Sequence, residues 1–157
     1  MTKTGNSFPS AGDLDKELAR FKEEKDSVRT EVLIVLGVHL LKRSLRKLLQ
    51  PHYTLLETDN AETALTILGK QKPQLVFVDN NPPDSTGINL VRRMRQRNNN
   101  TPVIMAFNTV SEGDLQKISE LKVADYFTHP FNADMLLVTI QNILKKAQAS
   151  IRFDEVR

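Results

Sequence analysis

Asp79 is the residue best placed to do chemistry. It closes an apolar run, Leu75-Val76-Phe77-Val78, and is followed at once by the turn-rich stretch Asn80-Asn81-Pro82-Pro83-Asp84-Ser85-Thr86-Gly87. An apolar strand that hands one carboxylate to a loop mouth is how an open α/β sheet presents a reactive group beyond its strand ends. Partner acids would be wanted after the first strand, and that position reads Leu36-Gly37. One acid therefore stands without its helpers. The imidazoles are His39, His52 and His129, with no Ser-His-Asp or metal-ligand spacing among them, no glycine-rich phosphate loop and no Cys. Ordinary hydrolytic or redox catalysis is disfavoured, and the chain is read as a non-enzyme.

Alternating elements must position that acid. Short β-branched or apolar runs predict strands over 31–36, 53–57, 74–79, 102–107 and 124–128. Helical periodicity predicts helices over 39–49, 61–70, 86–97, 112–121 and 132–147. Five strands alternating with five helices demand a parallel sheet with right-handed crossovers and helices on both faces. The continuous apolar character of LVFV and PVIM fits central strands buried on both sides. In such a sheet the residues beyond the strand ends are 36–39, 79–84, 107–110 and 128–131.

The 157 residues suffice for one domain with short extensions, expected as a lead over 1–29, a domain over 30–148 and a tail over 149–157. A 39% hydrophobic and 26% charged composition is that of an ordinary globular chain. The lack of Cys excludes disulfides and Cys-ligated zinc and fits a cytoplasmic setting. Residues 1–12 lack the apolar centre of a secretion signal, and no apolar run approaches the ~20 residues that span a bilayer.

These segments, in this order and spacing, resemble the receiver domain of two-component response regulators. The similarity covers about residues 30–146 and rests on VLIVLGVHLLKRSLRKLL, AETALTIL, LVFVDNNPPDSTGINLVRRMR, TPVIMAFN and ADYFTHPF. It implies a flavodoxin-like doubly wound (βα)5 fold with a five-stranded parallel sheet of order 2-1-3-4-5. It also implies a phosphorelay signalling role, with Asp79 at the phospho-acceptor position. In that family a pair of acids after the first strand holds Mg²⁺ together with the acceptor and the carbonyl two residues on, here that of Asn81. Leu36 and Gly37 occupy the place of the acids, so Mg²⁺ binding is expected to be very weak or absent. Asp59 is the one nearby acid, and it is expected to sit too far away.

Two more departures follow from the resemblance. Phe107 stands where a Ser or Thr would bond the phosphoryl group, and His129 stands where a Lys ammonium would. Each preorganised donor lost commonly costs on the order of a hundred- to a thousandfold in rate. The chain therefore reads as a degenerate pseudo-receiver acting by phosphorylation-independent protein–protein contact. Alternatives are a weak phospho-receiver using Asp79, and a small-ligand sensor using a pocket lined by Leu36, Phe107 and His129. Tyr126 matches the family's switch aromatic, and Phe107 is expected to fill the space into which that ring would move. The resemblance also implies a cis His129-Pro130 bond.

The partners implied are proteins, a histidine kinase or a downstream effector, meeting residues 112–141. Lys42, Arg43, Arg46 and Lys47 on one helix and Arg92, Arg93, Arg95 and Arg97 on another read as solvated faces on opposite sides of the sheet. A nucleic-acid stripe would need them contiguous, so nucleic acid is not an expected partner. Ser10 to Asp13 has capping-box form ahead of a charged helix. On that helix Leu14, Leu18 and Phe21 form a narrow apolar stripe, which packs back on the domain or makes the seam of a homodimer. The tail over 150–157 reads as a frayed end, with a further short strand or a peptide-like docking segment as alternatives.

Overall fold

The computed structural model describes residues 29–37, 39–80 and 87–156. Five parallel strands, β1 (Glu31–Val35), β2 (Thr54–Thr58), β3 (Leu75–Asp79), β4 (Val103–Phe107) and β5 (Asp125–Thr128), lie in the order β2-β1-β3-β4-β5. The helices between and after them are α1 (His39–Leu49), α2 (Ala61–Lys70), α3 (Gly87–Gln96), α4 (Glu112–Glu120) and α5 (Ala133–Val156). The expected doubly wound topology is the one observed. Residues 1–28, 38, 81–86 and 157 lie outside the described residues, and with them the Leu14, Leu18 and Phe21 stripe and Asn81.

Strand alternation splits the core into two layers. Leu33, Val35, Val76, Val78, Val103, Met105 and Phe107 face α2, α3 and Ile118 of α4. Val32, Ile34, Leu75, Phe77, Ile104 and Ala106 face Leu45 and Leu49 of α1 and Leu136, Ile140 and Leu144 of α5. Period-two strands buried on both sides are what the unbroken apolar runs require. The basic faces of α1 and α3 therefore lie on opposite sides of the sheet, as expected.

The helix ends are fixed by caps. Asn60 opens α2 by accepting from the Thr63 N–H at 2.8 Å, and Ser111 opens α4 in a capping box with Asp114. Two helices close in Schellman turns. After α3 the Asn99 N–H reaches Met94 and the Asn98 N–H reaches Arg95, both at 3.0 Å, and after α4 Val123 reaches Ile118 and Lys122 reaches Ser119. Asn98 (φ 59°) and Lys122 (φ 56°) hold the left-handed residue of each turn.

Two expectations fail. The last helix does not end near residue 147 but continues to Val156, so the segment read as a frayed tail is helical. No Gly or Pro follows Pro130 to stop it. Arg95 is not a solvated charge. Its guanidinium donates to the carbonyls of Leu121 (2.8 Å), Asn99 (2.8 Å), Thr101 (3.0 Å) and Lys122 (3.4 Å). It thereby ties the end of α4 to the loop entering β4, and burial pulls its pKa below the usual arginine value.

Candidate functional site

The parallel register decides what stands beside Asp79. Asp79 pairs with Ala106, Val35 pairs with Val78, and Phe107 pairs with Thr128. One residue past each pairing, Leu36 comes alongside Asp79, Asn80 alongside Phe107, and His129 follows Thr128. Backbone bonds fix these steps: the N–H groups of Leu36, Asn80 and His129 donate to the carbonyls of Thr58 (3.0 Å), Ala106 (2.9 Å) and Phe107 (2.8 Å). The C-terminal rim of the sheet thus collects Leu36, Asp79, Phe107 and His129, four of the residues singled out from sequence.

Asp79 is buried, at 7% exposure, and with Thr58 it is one of two polar residues in the buried set among the described residues. His129 Nε2 lies 3.7 Å from Asp79 Oδ2. That separation is too long for a hydrogen bond, so His129 is a neighbour of the carboxylate rather than a donor to it. Beyond His129 the bond to Pro130 is cis, and the imidazole packs against Phe131 with ring centroids 5.1 Å apart. Asp59 is exposed and accepts from the Asn60 side chain at 3.2 Å.

Leu36 is fully buried and Phe107 nearly so, in opposite core layers. The two side chains therefore lie in different layers, one on each side of the sheet. Gly37 is half-buried. Tyr126 is 39% exposed, and Phe107 meets it edge-on, with centroids 6.2 Å apart and planes at 83°.

Asn80, a position that sequence reasoning passed over, completes the site together with Gly87. The Asn80 side chain accepts from the Ile88 N–H at 3.1 Å while its carbonyl accepts from the Gly87 N–H at 2.9 Å, so one residue anchors the first turn of α3 beside Asp79. The signal was an Asx residue at a strand-to-helix turn. Gly87 is then a matter of space: a Cβ there would stand 2.7 Å from the Asp79 carbonyl oxygen and 2.9 Å from the Asn80 Cα.

Comparison with known proteins follows the same outline. The chain is 30% identical over 118 residues to the virulence transcriptional regulatory protein PhoP of Salmonella choleraesuis, covering 73% of this chain and 52% of that one. It is 28% identical over 96 residues to the phosphate regulon transcriptional regulatory protein PhoB of Pseudomonas aeruginosa, covering 60% of this chain and 42% of that one. The chain spans about half the length of such relatives. Among solved structures, a CheY-like response regulator receiver domain protein from Methanospirillum hungatei superposes with a TM-score of 0.73 at 20% identity, over 78% of this chain and 98% of that one. The signal receiver domain of an HD domain-containing protein from Pseudomonas fluorescens gives 0.71 at 26% identity, over 77% and 98%. Residues 32–141 match the response regulator receiver domain family, and the chain belongs to that family.

Proposed function

We propose that this receiver signals through protein–protein contacts that do not depend on phosphorylation of Asp79. The surroundings of Asp79 carry the reading. Phosphoryl transfer relies on cations and donors arranged around the phosphoryl oxygens, since the protein has little covalent work to do. Here the neighbouring strand end offers Leu36, an apolar side chain with no oxygen to give, and the next offers buried Phe107 with no donor. Among the described residues, His129 is the one that brings a nitrogen towards the carboxylate, 3.7 Å away.

Mg²⁺, which the family implies, does not fit these residues. Among the described residues no group of three His, Cys, Asp or Glu could hold a metal ion. The carboxylates that a hard, well-hydrated cation needs are missing from the β1 end.

The contact face is supported by where apolar surface is left uncovered. Leu115 of α4, Tyr126 of β5, and Met135 and Val138 of α5 are the large hydrophobic side chains exposed among the described residues. All four belong to the elements around the β5 edge of the sheet. Grouped exposed apolar residues mark interaction surfaces more often than scattered ones do. Phe107 supports constitutive signalling, because it already occupies the interior position against which Tyr126 rests. The partner on this reading is a kinase or effector protein of a two-component pathway. No helix among the described residues is long and apolar enough to cross a membrane.

Incubation with a small phosphodonor and Mg²⁺, read by intact mass, tests the proposal. Unmodified protein is the expected result. A stable gain of roughly 80 Da, one phosphoryl group, that disappears in Asp79→Asn would overturn it in favour of a working phospho-receiver.

A further inference from the structure

We propose that residues 13–24 of this chain dock into the cleft at the N-terminal end of the strands, between the ends of α2 and α3. This goes beyond the signalling role proposed above and does not depend on it. The cleft has a volume of about 530 Å³, within the range of small binding pockets. Leu65, Leu68, Pro73 and Met94 contribute its apolar lining, Lys72 and Arg97 its charge, and among the described residues no acidic side chain lines it.

The occupant is chosen by complementarity. Residues 13–24 read DLDKELARFKEE, with Leu14, Leu18 and Phe21 at helical spacing on one face. The segment holds five acids against three bases, in a chain whose net charge is +3. An isolated stripe this short is marginal as a helix and gains by covering itself. The carbonyl ends of α2 and α3 would by themselves repel acids, and Lys72 and Arg97 reverse that sign at the cleft.

The chain also enters the fold at the right place. Arg29 donates to the backbone carbonyls of Gln50 and Tyr53, which holds it at the N-terminal end of the strands. Glu31 then bonds Gln74 in both directions at 2.9 Å, one residue from Pro73 in the cleft. The eight residues from Phe21 to Arg29 reach at most about 26–29 Å when extended, several times the ~4.8 Å between strands. Tethering of this kind supplies an effective concentration on the order of millimolar, so modest contacts suffice.

The test places a benzophenone side chain at Phe21 in the full chain, irradiates it, and maps the adducts by peptide mass spectrometry. The expected products are intramolecular, join residues 65–73 or 94–101, and form in a yield independent of protein concentration. The pair Lys72→Glu and Arg97→Glu should lower that yield by about fivefold. Adding Glu17→Lys and Glu23→Lys should restore it. Adducts between two copies that grow with concentration would overturn the proposal in favour of a dimer seam. Adducts confined to residues 112–141, or none above the yield in urea, would overturn it as well. So would an oligonucleotide held by Lys72 and Arg97 while Phe21 stays unlinked.

Discussion

Phe107 meets Tyr126 edge-on, with ring planes at 83° and centroids 6.2 Å apart, one ring sealed in the core and the other 39% exposed. Edge-to-face pairs of this kind contribute about 0.5–1.5 kcal/mol beyond the area they bury. The contact holds the Tyr126 ring from its inner side, so the outward position is the one the packing supports. In Phe107→Thr the space opens, and the Tyr126 ring should sample inward rotamers, visible as new line broadening in aromatic NMR spectra. The same change should cost about 3 kcal/mol in urea unfolding, because a large buried ring is lost and a hydroxyl is buried in its place. Partner recovery and Tyr126 spectra identical to wild type would remove the idea of a locked ring.

Gly87→Ala tests the spacing at Asp79. On a helix, replacing Gly by Ala usually stabilises by about 1 kcal/mol. Here the added Cβ would stand 2.7 Å from the Asp79 carbonyl oxygen, and relief requires moving backbone rather than a flexible side chain. The expected sign is therefore inverted, to a loss of about 1–3 kcal/mol in urea denaturation. A gain in stability would show that β3 and α3 are not in the contact described.

Arg95 bonds carbonyls of two loops at once, and its removal leaves those carbonyls without their partner. Arg95→Met keeps the aliphatic stem and should still cost about 2–3 kcal/mol, since bonds to a charged donor contribute roughly 1.5–3 kcal/mol. Arg95→Lys should recover little, because an ammonium cannot span the same set of acceptors. Hydrogen exchange should quicken at Leu121–Ala124 and Asn99–Thr101 together. Loss at one loop alone would contradict the tie.

Burial raises the Tyr53 pKa above its ordinary value of 10.0. The fold therefore favours the neutral phenol. The stability this contributes is complete below pH 10 and is lost as pH rises through the raised folded value. Urea midpoints taken from pH 8 to 11 should fall more steeply in wild type than in Tyr53→Phe. Parallel curves would mean that Tyr53 is not desolvated.

Much of this was legible from the chain. The runs LVFVD and PVIMAF dictated central parallel strands because only strands covered on both faces are apolar throughout. The end of β3 therefore placed Asp79, and the order of elements placed Leu36, Phe107 and His129 around it. What was hidden depended on distant partners. Arg95 sits among four arginines between residues 92 and 97, and nothing in that spacing tells which of them the incoming loops will enclose. Leu36 and Phe107 looked like neighbours because both end strands, yet strand alternation sends their side chains to opposite layers. The length of α5 was misjudged because its last residues were read as a frayed terminus, although no Gly or Pro stands there to stop the helix.

The strand order leaves β2 and β5 as the two margins of the sheet, each only four or five residues long. Glu57 lies on one and Asp125 on the other. Short, charged margins make poor templates for a foreign strand. Concentrated solutions of this protein should accordingly resist ordered fibrillar assembly, however much apolar surface the β5 side presents to its partners.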